Sequence, residues 1–408
     1  MNNPSLELSL FTNLLLLLVF SRIFGEIIER FNQPAMIGEI IAGIILGPSI
    51  LNIIHITEEI RIISELGIFF FVILAGVEIN IDEILNSLRG KNIIMPVISF
   101  IIPFVCGFGV GILFNLDITA SFFLGLCISI TALPVTVRIL MDLGKLNTEL
   151  GQKIISVAIF NDVLALMFFG MFWNNKNAAL TIESFLKVVF LSFLKLFAFI
   201  FILTIAYILV KKMVQKGNYI KVYLDKIVSI LKIKEPLFTL FFIFILVFST
   251  ISENLGFHFI VGSFFASMLI SESLIGKENL HIIQSSTSNI AMGLLAPIFF
   301  ASIGLETNLF SLRNLSLVLV VLLIAFISKI ISGYFAGRMT GLNPTTSLTL
   351  GVGLNARGIM ELIIANIAFI NNFINIEIFS ILVLMGLVTT MLTPIFLKLL
   401  FDYKENYQ

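Results

Sequence analysis

Charge is what this chain has least of. Only 12% of its 408 residues are Asp, Glu, Lys or Arg, against about a quarter in an ordinary soluble chain. The 25 basic and 25 acidic residues cancel, so no electrostatic footprint for a nucleic acid or an acidic partner is present. Cysteine is nearly absent. Cys106 and Cys127 both lie in apolar runs without ligand spacing and read as small buried hydrophobes. No phosphate-binding glycine-rich loop, no metal-ligand cluster and no nucleophile paired with a base is found along the chain. ATP-driven pumping, nucleotide binding, a resident cofactor and enzymatic turnover are therefore not expected.

What fills the sequence is apolar surface: 58% of residues are hydrophobic, with a mean hydropathy of +1.08. A soluble domain of this size cannot hide that much, and the lipid bilayer is the expected surrounding. Apolar runs divided by short polar punctuation predict about 13 membrane spans. They fall near 6–28, 34–52, 60–80, 92–114, 118–140, 150–173, 181–211, 236–254, 257–272, 284–304, 314–338, 343–369 and 375–400. The expected fold class is an all-α polytopic membrane protein. The first run has no basic residues before it and no small-residue cleavage site after it, so it reads as a helix and not a signal peptide.

The long basic stretch from Lys211 to Lys234 sets the orientation, because Lys and Arg accumulate in cytoplasmic loops. Within it, Tyr219 to Leu231 has helical apolar spacing and predicts an amphipathic helix on the inner surface. The loops that alternate to the outside carry only Arg61, Lys176 and Arg313. The N-terminus is expected outside, the C-terminus inside, and the chain in a cytoplasmic membrane.

The spans divide into equal halves, a first repeat over 1–173 and a second over 236–402. A linker over 174–235 inverts the second against the first. Inverted repeats are typical of secondary transporters, with the substrate site between them. The fifth span of each half carries an interruption signal. In the first it is Ser129-Ile130-Thr131-Ala132-Leu133-Pro134-Val135-Thr136, where Pro134 removes a backbone donor and disfavours helix at Leu133. In the second it is Gly351-Val352-Gly353-Leu354-Asn355-Ala356-Arg357-Gly358. Beside the first lies Asp162, in an apolar run with no Lys or Arg within eight residues. A lone carboxylate in hydrocarbon costs several kcal/mol and is by default functional. Such a group can hold a proton or a small cation, and the two compete.

These motifs resemble a known family. Gln33 to Ser49, reading Gln-Pro-Ala-Met-Ile-Gly-Glu-Ile-Ile-Ala-Gly-Ile-Ile-Leu-Gly-Pro-Ser, is similar to the signature of the monovalent cation:proton antiporter-2 family. Further matches follow in order: Glu65-Leu66-Gly67 through Gly76-Val77-Glu78, Thr131 to Val135, Phe160-Asn161-Asp162, Phe257 to Phe264, Pro297 to Leu305, and Asn355-Ala356-Arg357-Gly358. The last, with Met360-Glu361 behind it, resembles the NapA/GerN-like sodium:proton branch. The resemblance implies an NhaA-type fold with two crossed discontinuous helices. It also implies a homodimer with a dimerisation part and a mobile core, and elevator-like exchange of Na⁺ or K⁺ for H⁺. Kef-like members continue into a nucleotide-binding domain. No Gly-x-Gly-x-x-Gly follows here, so a short form is expected.

One departure bears on mechanism. The family usually has two adjacent acids where this chain has Asn161-Asp162. In electrogenic members the first acid pairs with a lysine, whose counterpart here is Lys329. Asn161 cannot form that bridge, which predicts electroneutral exchange at the single carboxylate Asp162. Asn161, Thr131 and backbone carbonyls from Ala132 to Val135 are expected to complete the cation shell, with Lys329 balancing charge. Arg357 and Glu361, spaced i,i+4, are expected to pair, with Glu78 as a further gating candidate. His258 and His281 are expected in loops. An electrogenic antiporter, a K⁺ efflux antiporter, a passive channel and a membrane sensor remain alternatives.

Overall fold

The computed structural model describes residues 9–31, 33–79, 90–146, 148–173 and 235–407, with the single positions 190, 194, 195, 198, 201, 202, 205 and 208. Every regular element among the described residues is helical. Eight helices among the described residues are long and apolar enough to cross a membrane. The basic stretch 211–234 and its amphipathic helix lie outside the described residues; of the two lysines in the seventh predicted span, Lys187 also lies outside them and Lys195 is helical with an exposed side chain.

The chain divides into two compact units. One is drawn from Met1–Gly67, Ile84–Ala165 and Leu294–Gln408, the other from Ile68–Glu83 and Leu166–Gly293. The helices in chain order are α1 (Leu10–Arg30), α2 (Ala35–Leu46), α3 (Glu58–Val77), α4 (Ile94–Leu113), α5 (Ile118–Ser129), α6 (Leu133–Asp142), α7 (Glu149–Trp173), α8 (Pro236–Asn254), α9 (Phe259–Met268), α10 (Lys277–Ile290), α11 (Ala296–Glu306), α12 (Leu315–Met339), α13 (Pro344–Gly353), α14 (Ile359–Ile370) and α15 (Ile376–Tyr407). A π-helical turn over Ala291–Leu295 joins α10 to α11.

In the first unit the helices are drawn together by small residues, as expected where lipid removes the usual hydrophobic drive between helices. At the α2–α11 crossing, a Cβ on Gly43 would stand 2.0 Å from the Ala301 carbonyl oxygen, and one on Gly304 would stand 2.2 Å from that of Ile40. At the α12–α13 crossing a Cβ on Gly333 would meet the Gly351 Cα at 2.3 Å. Side-chain caps set the helix starts. Asp117 accepts from the Ala120 N–H, Asn314 from Leu317 and Asn343 from Thr346, each satisfying a donor that the first turn leaves open.

In the second unit, Phe69, Ile73 and Val77 of α3 pack on Phe241 and Ile245 of α8 and on Ala266 and Ile270 at the end of α9. Ser249 and Ser263 share a 2.8 Å hydrogen bond, and Gln284 of α10 donates to the Val77 carbonyl. His258 lies in the loop before α9, as expected, and is a buried cap whose Nδ1 accepts from the Ile260 N–H. His281, also expected in a loop, lies within α10.

Two predicted spans are each a pair of short helices. The fifth, 118–140, is α5 and α6, separated at Ile130–Ala132; the twelfth, 343–369, is α13 and α14, separated at 354–358. The first interruption lies before Pro134, not at it. Pro134 sits in the opening turn of α6, where its missing N–H has no helical partner to lose. The two interruptions meet. The Ala132 N–H donates to the Ala356 carbonyl at 2.9 Å, and the Thr131 hydroxyl donates to the Leu354 carbonyl at 3.0 Å.

Candidate ion site

Both interruptions belong to the first unit, and α4, the first part of α7 and α12 supply side chains around them. Asn161 and Asp162 of α7 are buried, at 0% and 2% exposure. The Asn161 amide donates to Ser99 Oγ at 3.4 Å and Thr131 Oγ1 at 3.3 Å. Asn161 Oδ1 and Asp162 Oδ1 are buried with no hydrogen-bond partner.

Lys329 enters from α12 and is completely buried. Its ammonium donates to the Ser99 carbonyl at 3.2 Å, to Thr131 Oγ1 at 2.9 Å and to the Ser129 carbonyl at the end of α5. Among the described residues it makes no ion pair with a carboxylate. Its acceptors are neutral oxygens of the kind that also ligate alkali cations.

Thr131 Oγ1 is the centre of this arrangement. A hydroxyl has one proton to donate and two lone pairs. Here the proton goes to Leu354 O while Lys329 and Asn161 donate in return. The group is saturated, so anything else that ligates Thr131 must displace one of these partners.

Arg357 stands in the second interruption, buried at 0% exposure. It donates to Cys127 O at 2.8 Å and Ile130 O at 3.4 Å, and to Ala325 O of α12 at 3.1 Å. A guanidinium and an ammonium therefore sit on the C-terminal carbonyls of α5, where the helix dipole favours positive charge.

The arrangement differs from the expected one in four respects. The Ala132 carbonyl accepts from the Thr136 N–H at 3.1 Å and its hydroxyl at 2.6 Å, so it is not freed by the interruption. Ser99 and Ser129 line the site instead; Ser129 opens the first interruption motif, whereas Ser99 carried no signal, being an unremarkable serine in an apolar run. Arg357 and Glu361 do not pair: Arg357 precedes α14 and points to carbonyls, while both Glu361 carboxyl oxygens lack a hydrogen-bond partner. Glu78 lies just past the end of α3 with an exposed side chain, in the other unit.

Two further buried acids sit elsewhere in the first unit. Glu39 of α2 has Arg22 at 3.7 Å. Glu306, at the end of α11, accepts from the Asn366 amide at 2.6 Å and has Arg61 at 3.9 Å. It directly follows the Pro297–Leu305 motif, the one cue to it in the sequence.

Comparison with known proteins identifies the family. The chain is 31% identical over 389 residues to the probable Na⁺/H⁺ antiporter GerT of Bacillus cereus, covering 94% of this chain and 97% of that one. It is 29% identical to the Na⁺/H⁺-K⁺ antiporter GerN of the same organism, covering 98% of each. Among solved structures it superposes on the sodium proton antiporter MjNhaP1 of Methanocaldococcus jannaschii with a TM-score of 0.67 over 95% of both chains, at 16% identity. Residues 15–402 match the transmembrane sodium/hydrogen exchanger family, and the chain is a membrane antiporter belonging to it.

Proposed function

We propose that Asp162 alternately holds a monovalent cation, Na⁺ or K⁺, and a proton, and that this competition drives secondary-active antiport. The observation that carries the reading is the pair of buried, unpartnered oxygens, Asn161 Oδ1 and Asp162 Oδ1, beside the oxygen cradle filled by Lys329. A hard cation would gain ligands from these two oxygens. It reaches Thr131 when Lys329 or Asn161 gives up its hydrogen bond. With the cation absent, a proton on Asp162 removes the cost of an unpaired buried charge.

The exchange is elevator-like, with the interrupted helices carrying the site, in a homodimer of the cytoplasmic membrane with the N-terminus outside. The two meeting interruptions support an NhaA-type core formed by inverted repeats. Exchange is electroneutral. Lys329 rests on neutral oxygens, which supports its keeping one protonation state while Asp162 alone changes occupant. The test is cation-driven proton flux in proteoliposomes. Asp162→Asn should abolish it with folding intact, and flux that persists would refute the assignment.

A further inference from the structure

Besides Glu39 and Glu306, a third buried acid takes no part in this shell. Glu361 lies in the first turn of α14 and is fully buried. Neither carboxyl oxygen has a hydrogen-bond partner. The groups facing it are Arg357 from the interruption, Lys329 from α12 and the Cys127 thiol from α5; α15 presents Gly386. An ionised carboxylate without donors is strongly disfavoured away from water. This arrangement suits the neutral acid.

The natural partner is nearby but turned away. Arg357, four residues earlier, directs its terminal nitrogens to Cys127 O, Ile130 O and Ala325 O, and its Nε is buried with no acceptor. A donor without an acceptor and a carboxyl without a donor, so close in the chain, describe one half of a two-position arrangement. We propose that Glu361 is a proton-binding site separate from the cation shell, and that Arg357 receives its ionised form.

When the O–H bond of Glu361 breaks, the proton passes to solvent and the carboxylate accepts from Arg357. The guanidinium then leaves the end of α5. Ile130 O is one residue from Ser129 O, which holds Lys329. Proton occupancy at Glu361 thus controls how firmly the first interruption is held, and through it the cation shell. This rests on the antiport reading above.

The test combines transport with infrared spectroscopy of the full-length protein. Glu361→Gln is a permanently neutral mimic. It should lose one limb of the rate–pH curve, a limb with slope of at most about tenfold per pH unit; Glu361→Asp should keep that limb, displaced along the pH axis. In the infrared, adding Glu361→Gln to Asp162→Asn should remove one protonated-carboxyl band. A Glu361→Gln curve that superposes on the wild type, or an unchanged set of carboxyl bands in the double variant, would overturn the proposal. Should Glu361→Gln not accumulate, Glu361→Asp decides: a wild-type curve and spectrum refute it. Flux persisting in Asp162→Asn would refute the Asp162 assignment alone, since the infrared result does not depend on exchange.

Discussion

The Thr131 hydroxyl stands 2.9 Å from the Lys329 ammonium and, through its own proton, 3.0 Å from the Leu354 carbonyl of the other interruption. One oxygen thereby ties α12 to both broken helices. Thr131→Val keeps the shape and deletes that tie. A hydrogen bond to a charged group contributes about 1.5–3 kcal/mol, so maximal exchange should fall roughly 10- to 100-fold, with Thr131→Ser near wild type. Equal rates for the valine and wild-type proteins in proteoliposomes would remove Thr131 from the site.

Competition at one carboxylate fixes the pH behaviour of cation affinity. Below the titration of Asp162, each pH unit lowers its deprotonated fraction tenfold, so the apparent KM for the cation should rise about tenfold per unit. Steady-state exchange at varied cation and pH measures this. A KM that stays flat while the rate changes points to separate sites.

Voltage tests the role of Lys329. If its proton does not cycle, one charge enters for each that leaves, and membrane potential does no work; each net charge moved would otherwise contribute about 2.3 kcal/mol per 100 mV. With valinomycin clamping the liposomes, proton flux at fixed ion gradients should not change with potential. Acceleration by voltage would mean that Lys329 gives up its proton during the cycle.

Packing predicts a contrast between two glycine positions. A side chain at Gly304 meets the Ile40 backbone at 2.2 Å, whereas a Cβ at Gly109 of α4 meets nothing within 4 Å. Gly304→Ala should destabilise by about 1–3 kcal/mol through forced separation of α2 and α11. Gly109→Ala should be neutral, or stabilising by about 0.5–1 kcal/mol because Gly in a helix is entropically costly. Thermal unfolding in detergent distinguishes them, and equal melting temperatures would count against the α2–α11 contact.

Much of this site was legible because charge in an apolar run is conspicuous. Asp162 stood out for that reason, Lys329 came only with the family resemblance, and both interruptions were signalled by Pro134 and the Gly351–Gly358 cluster. Placement was harder. Pro134 marks the start of α6, so the residues that leave helical geometry are the ones before it. The i,i+4 pairing of Arg357 with Glu361 assumed a continuous helix, but Arg357 lies in the non-helical stretch before α14. Ser99 and Ser129 hold Lys329 through backbone carbonyls, and any residue type has one; no side-chain pattern announces that role.

The contact between the interruptions also bears on how the chain is made. The Thr131 hydroxyl and its acceptor, Leu354, are 223 residues apart in sequence, and the neighbouring Ala132 N–H waits as long for the Ala356 carbonyl. At about 5–20 residues per second, a ribosome needs on the order of 10–50 s to cover that distance. Through that interval the first interruption has entered the membrane while its acceptor does not yet exist. Open backbone groups are not tolerated facing lipid. The nascent first half must therefore be sheltered, by water or by the insertion machinery, until the second half arrives to close it.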